Sequence, residues 1–193
     1  MPSPTPPAGA NQLTLLFDLW LLLHVASGVL DDALREDGLS GDDFGLYSLL
    51  RGFGPTTPSQ IGRWTGMRPT TVSAALRRLT DRGHLQRAEN PADGRSYLVG
   101  LSEAGRGVHA AAAASFRSIV AGVADALGGE EAEQRQSLQV LDAALRRVAE
   151  LDARPYSLVL GPEARPRMVY AGPPLAAELE DDVRRHIEFV QRR

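Results

Sequence analysis

The residues best placed to do chemistry fall in one short segment, 69–82. At 100° per residue, Thr70, Ser73, Ala74 and Arg77 share one helical face, and Val72, Ala75, Leu76 and Leu79 share the opposite one. The first face carries small groups, hydroxyls and a single long cation, with no bulky apolar side chain. Such a face can approach a polyanion closely, with hydroxyls for bases or phosphates and arginine for guanine or phosphate. An ordinary amphipathic surface helix has the same spacing, so the face alone does not decide. A second cation, Arg95, follows Asp93-Gly94 between two runs of strand-forming residues, 84–88 and 96–101. Asp-Gly in that setting signals a hairpin, with Arg95 beside its tip and Asp93 suited to orienting the loop.

Charge agrees with this placement. The chain has 193 residues and a net charge of −3. Residues 57–100 hold seven Arg against three acids, a net +4, which leaves −7 for the rest. All 21 basic residues are Arg, so arginine abundance itself reflects overall composition, and its concentration in one segment is the informative feature. With 43% hydrophobic and 23% charged residues the composition is that of a folded globular protein. The chain has no cysteine, which excludes disulfides, thiolate metal sites and thiol redox sensing. The four histidines, at 24, 84, 109 and 186, are scattered without metal spacing, and no nucleotide-binding or hydrolase motif occurs. Neither an enzyme nor a bound cofactor is expected.

The elements that must position these side chains are well punctuated. Residues 1–11, rich in proline, are expected to be disordered. A first helix is expected over about 12–36 and a second over 42–51. Thr57-Pro58 is a helix start and Gly66 a stop; Pro69 opens the next helix and Gly83 ends it. Two short helices around a tight glycine-containing turn form a helix-turn-helix. Ser102 caps a long alanine-rich helix to about Leu127, and another runs from about Glu130 to Asp152. Strands are expected at 155–160 and 167–171, then a last amphipathic helix with Leu175, Leu179, Val183, Ile187 and Val190 on one side.

The run Leu13–Leu30 is apolar enough to raise a membrane question. It lacks a preceding basic residue and contains Asp18 and His24, so a helix buried against its own domain and a partner subunit is the better account, in a cytoplasmic protein without a membrane. The long helices carry more apolar surface than a small winged core can cover, which points to a dimer.

The stretch TPSQIGRWTGMRPTTVSAALRRLTDRGHLQRAENPADGRSYLVGLSEAGR resembles the MarR family of winged-helix regulators. LTDRGHLQR resembles the family's passage from recognition helix to first wing strand. DGRSYLVGLSEAGR resembles its Asp-x-Arg wing tip, second strand and Leu-Thr-x-x-Gly start of the next helix, with Ser102 replacing the usual Thr. The resemblance covers roughly residues 12–151. It implies a mainly α fold with a small β-wing: a winged helix-turn-helix domain over 41–101 and long dimerisation helices from 12–40 and 102–152.

It further implies a homodimer on double-stranded DNA with a roughly palindromic site. The helix bearing Thr70, Thr71, Ser73 and Arg77 would enter the major groove, flanked by Arg68 and Arg78, and Arg95 the minor groove. Arg68 stands where a capping Ser, Asp or Asn is expected, which weakens the cap and adds a candidate phosphate contact. Family members typically repress nearby genes and are released by small aromatic or anionic effectors. Trp20, His24, Phe44, Tyr47 and Arg51 lie where such an effector site is often found, although the aromatics would equally serve as core. Residues 153–193, a strand pair plus helix, have no counterpart in the minimal family pattern and are expected to form a dimer-stabilising arm, in preference to a lid over a ligand or a docking surface for another protein. The alternative is a winged-helix module that binds protein and not DNA.

Overall fold

The computed structural model describes residues 14–154 in full and the backbone of 156–160 and 166–170. The expectations for residues 1–11 and for the last helix lie outside the described residues.

Helix α1 (Leu15–Leu34) leads through a turn to α2 (Gly41–Phe53). Ser40 caps α2 by accepting the Asp43 N–H at 3.1 Å, and the Asp31 carboxylate accepts the Gly41 N–H at 2.7 Å, tying the two helices together. Next come α3 (Pro58–Thr65) and α4 (Pro69–Asp81), then strands β1 (Leu85–Glu89) and β2 (Tyr97–Leu101). The strands pair antiparallel from Leu85–Leu101 at the base to Glu89–Tyr97 at the tip. Thr56 adds a one-residue third strand, exchanging two backbone hydrogen bonds with Val99 at 3.0 and 2.8 Å.

The core lies where these elements meet. Tyr47 and Leu50 of α2, Ile61 of α3, Val72 and Leu79 of α4 and Val99 of β2 are all essentially inaccessible. Each fully buried aliphatic side chain contributes about 1.5–3 kcal/mol. Helix α5 (Glu103–Ala126) starts against this core, with the Ser102 hydroxyl accepting the Gly105 N–H at 3.1 Å. Gly105 has no room for a side chain, since a Cβ there would lie 2.1 Å from the His84 carbonyl oxygen. Helix α6 (Glu131–Val148) follows, then the antiparallel strands β3 (Tyr156–Leu160) and β4 (Pro166–Tyr170), with β3 lying alongside α6.

Helix α6 ends four residues before the expected Asp152. Glu150 adopts φ 53°, and the Leu151 N–H reaches back to the Arg146 carbonyl at 2.9 Å. This is a left-handed cap of the kind glycine usually makes. No glycine announced it in the sequence.

The faces left open are apolar. Leu16, Trp20, Leu23 and Val25 of α1, Val123 of α5 and Val140 and Val148 of α6 are exposed in the single chain. Among the described residues, α5 is the one helix long and apolar enough to cross a bilayer by length and composition. It packs against α1, α2 and β2, with Gly105 and Ala112 buried and Val120 and Val123 exposed.

Candidate nucleic-acid interface

Local chemistry builds the reading surface. The Thr57 hydroxyl accepts the Gln60 N–H at 3.2 Å, and Pro58 supplies the first helical residue of α3. Gly66 turns the chain with φ 75°, a left-handed conformation that side chains disfavour. Beside it the Thr65 hydroxyl donates to the Ile61 carbonyl at 2.8 Å and accepts the Met67 N–H at 3.2 Å. This fixed turn sets α4 against α3. Arg68 precedes α4 without a side-chain capping bond, as its chemistry requires.

On α4 the apolar row Val72, Ala75, Leu76 and Leu79 is buried, while Thr70, Thr71, Ser73 and Arg77 are exposed. The division expected from periodicity is therefore the one observed. Among the described residues none bonds the side chains of Arg68, Arg77 or Arg95.

Arg78 is placed differently. It donates to one oxygen of Asp43, and Arg82 donates to the other at 3.2 Å. Asp43 is only 3% exposed, so it is a buried anchor between α2 and the flank of α4. Its carboxylate holds the Arg78 guanidinium still more firmly protonated. Arg78, expected among the direct DNA contacts, is bonded to Asp43 and ties α4 to α2.

The wing is a hairpin, as expected, and its strands are joined by a loop longer than a two-residue turn. The loop has seven residues, 90–96, and Gly94 does not take the positive φ that a tight Asp-Gly turn needs. Side chains replace that turn: the Asp93 carboxylate accepts the Arg95 N–H at 3.0 Å, and the Asn90 amide donates to the Ser96 hydroxyl at 2.7 Å. Asp93 thus orients the backbone at Arg95. Lower on the wing, the Arg87 guanidinium lies 4.7 Å above the Tyr97 ring.

The five residues considered for an effector site are not brought together within one chain. The Trp20 and His24 rings meet at 4.4 Å, tilted by 48°, on the open side of α1, and the His24 Nδ1–H donates to the Trp20 carbonyl at 2.7 Å. Phe44 is core, packed on His109 and Phe116 at 5.0 and 4.7 Å. Tyr47 is fully buried, its hydroxyl 2.6 Å from His84 Nδ1. Burial, then the Asp43 charge, pushes the Tyr47 phenol above its ordinary range. Arg51 is exposed near His109, whose imidazole is held low by burial and then by Arg51. The physical reason is helical phase: Phe44 and Tyr47 share the inward face of α2, whereas Trp20 and His24 face away from the core.

A helix-turn-helix followed by a two-stranded wing and backed by long helices defines a winged-helix protein. The sequence profile of the MarR family matches residues 38–96. A probable transcriptional regulator from Pseudomonas aeruginosa is 30% identical, over 68% of this chain and 96% of its own, with a TM-score of 0.54. The S. aureus MepR–DNA complex matches at 19% identity and TM-score 0.60, over 69% of this chain and 98% of its own. CouR from Rhodococcus jostii RHA1 bound to p-coumaroyl-CoA matches at 18% identity and TM-score 0.58, over 69% and 95%. No curated protein matches the chain in sequence. The chain belongs to the MarR family, whose members are transcriptional regulators and not enzymes.

Asp43, Arg82, Arg146 and Asp152 carry structural roles at this surface that the sequence did not announce. For Asp43 there was one usable signal, an acidic residue in the first turn after a Ser cap, but helix caps are too common to single it out.

Proposed function

We propose that the protein is a sequence-specific repressor that binds double-stranded DNA as a homodimer on a palindromic operator and is released by a small aromatic or anionic effector. The observation that carries this reading is the exposed face of α4: Thr70, Thr71, Ser73 and Arg77 stand clear, with Arg68 and Arg95 also unbonded among the described residues. These groups suit a major groove flanked by phosphates, and Arg95 beside the hairpin tip suits an adjacent minor groove. The exposed apolar rows of α1, α5 and α6 support dimerisation through those helices, and residues 153–193 are assigned to an arm that reinforces it. MepR in complex with DNA and CouR with p-coumaroyl-CoA are precedents on the same fold for the two ligands. The protein would act in the cytoplasm.

Fluorescence polarisation on the DNA upstream of the protein's own gene tests the reading. With Arg68, Arg77 and Arg95 from two subunits on phosphates or bases, log K should fall with log salt at a slope of about −5. Arg77→Ala and Arg95→Ala should each cost about 1–3 kcal/mol of binding. Wild type and both variants binding that DNA equally poorly would refute the proposal.

A further inference from the structure

Helix α6 contributes no residue to the core, yet its end is bonded to the helix-turn-helix. Four contacts converge on Arg146, whose side chain is 13% exposed. Its Nε donates to the Asp142 carboxylate at 2.9 Å, which aims the guanidinium at α3. One terminal nitrogen donates to the Trp64 carbonyl at 2.7 Å; the other reaches the Arg63 carbonyl at 3.3 Å and the Asp152 carbonyl at 2.9 Å. Arg63 and Trp64 form the last turn of α3, where helical carbonyls lack intrahelical partners and where a cation meets the negative end of the helix.

Asp152 completes the arrangement from the other direction. Its carboxylate accepts from Arg63 at 3.3 Å and from Gln60 at 3.4 Å, both on α3. Between them Leu151 covers the turn after α3: a Cβ at Gly66 would lie 3.3 Å from its methyl carbon. The left-handed Glu150 is what bends the chain so that Leu151 and Asp152 face α3.

We propose that Arg146 and Asp152 are positioning residues that clamp the helix-turn-helix to the end of α6, and so set where α4 is held for DNA. The head has its own core, built without α6, so the clamp fixes orientation and is not needed for folding. Neither residue lies on the exposed face of α4.

Full-length Arg146→Gln is the test, read by hydrogen–deuterium exchange and by DNA polarisation. Exchange should accelerate about tenfold or more at residues 60–67, an opening cheaper by about 1.4 kcal/mol, while α2 and β2 and the melting temperature stay as in wild type. Affinity for the upstream DNA should fall about tenfold with an unchanged salt slope, because no phosphate contact is lost. Wild-type exchange at 60–67 would overturn the clamp. So would a salt slope reduced by about 1, which would make Arg146 a direct phosphate contact. The DNA measurement rests on the reading proposed above: a wild-type protein that ignores this DNA refutes that reading, and exchange still decides the clamp. Should Arg146→Gln fail to fold, Asp152→Asn is read by the same exchange: faster exchange at 60–67 supports the clamp and wild-type exchange there overturns it.

Discussion

Asp43 offers a sharp test of how the recognition helix is held. Its carboxylate side chain is 4% exposed, whereas the Arg78 and Arg82 side chains it binds are 46% and 40% exposed. The pair is therefore asymmetric. Asp43→Asn removes the buried charge and leaves two arginines that can regain water. Each charge-assisted hydrogen bond is worth about 1.5–3 kcal/mol, but solvent screening at the half-exposed arginines reduces the sum to about 2 kcal/mol. For a chain of this size that lowers Tm by about 4–8 °C. The double variant Arg78→Gln, Arg82→Gln leaves the carboxylate buried without a partner, a loss of about 3–5 kcal/mol. Urea and thermal unfolding followed by circular dichroism, at one fixed protein concentration, rank the two. Asp43→Asn at wild-type stability, or costing more than the double variant, would refute the buried-anchor account.

Three further outcomes are expected. Gly105→Ala places a Cβ 2.1 Å from the His84 carbonyl oxygen, which already accepts the Ser102 N–H at 3.0 Å, so backbone must move and urea unfolding should show a loss of about 3 kcal/mol. His109, held below its ordinary value of 6.5 by burial and Arg51, contributes stability that is complete above pH 6.5 and lost as pH falls through its folded value. Its imidazole should titrate by NMR with a midpoint below 6.5, and His109→Gln should flatten the acid-side decline. Tyr47 is shifted the other way, so its contribution is present below pH 10 and lost as pH rises through the folded value. Tyr47→Phe should cost about 1 kcal/mol at neutral pH through the lost His84 bond, yet narrow the gap to wild type in alkaline unfolding.

How much was legible in the sequence depended on whether the deciding contact was local. Thr57-Pro58, Gly66 and the cap at Ser102 act over three or four residues, and the helices begin and stop where those signals place them. The exposed face of α4 followed from helical period alone. Arg78 did not, because its neighbour Asp43 is 35 residues away, and nothing in the spacing of α4 separates an anchoring arginine from a DNA-facing one. Phe44 and Tyr47 are apolar enough for either core or pocket; only the packing of α2 against α5 and β2 decides for core. The early end of α6 escaped because it depends on side chains, Leu151 and Asp152, doing what glycine-based rules assign to backbone.

The contact between Arg146 and α3 has a mechanical consequence. Helix α5 leaves the reading head as a strut of about 36 Å and α6 returns as one of about 27 Å, at 1.5 Å per residue. With the return strut fastened, head and helices close into a triangle, a frame that resists angular distortion. Unfastened, the frame loses that side, and a rotation of about 5° at the far end of α5 would sweep the head through about 3 Å, close to the rise of one base pair.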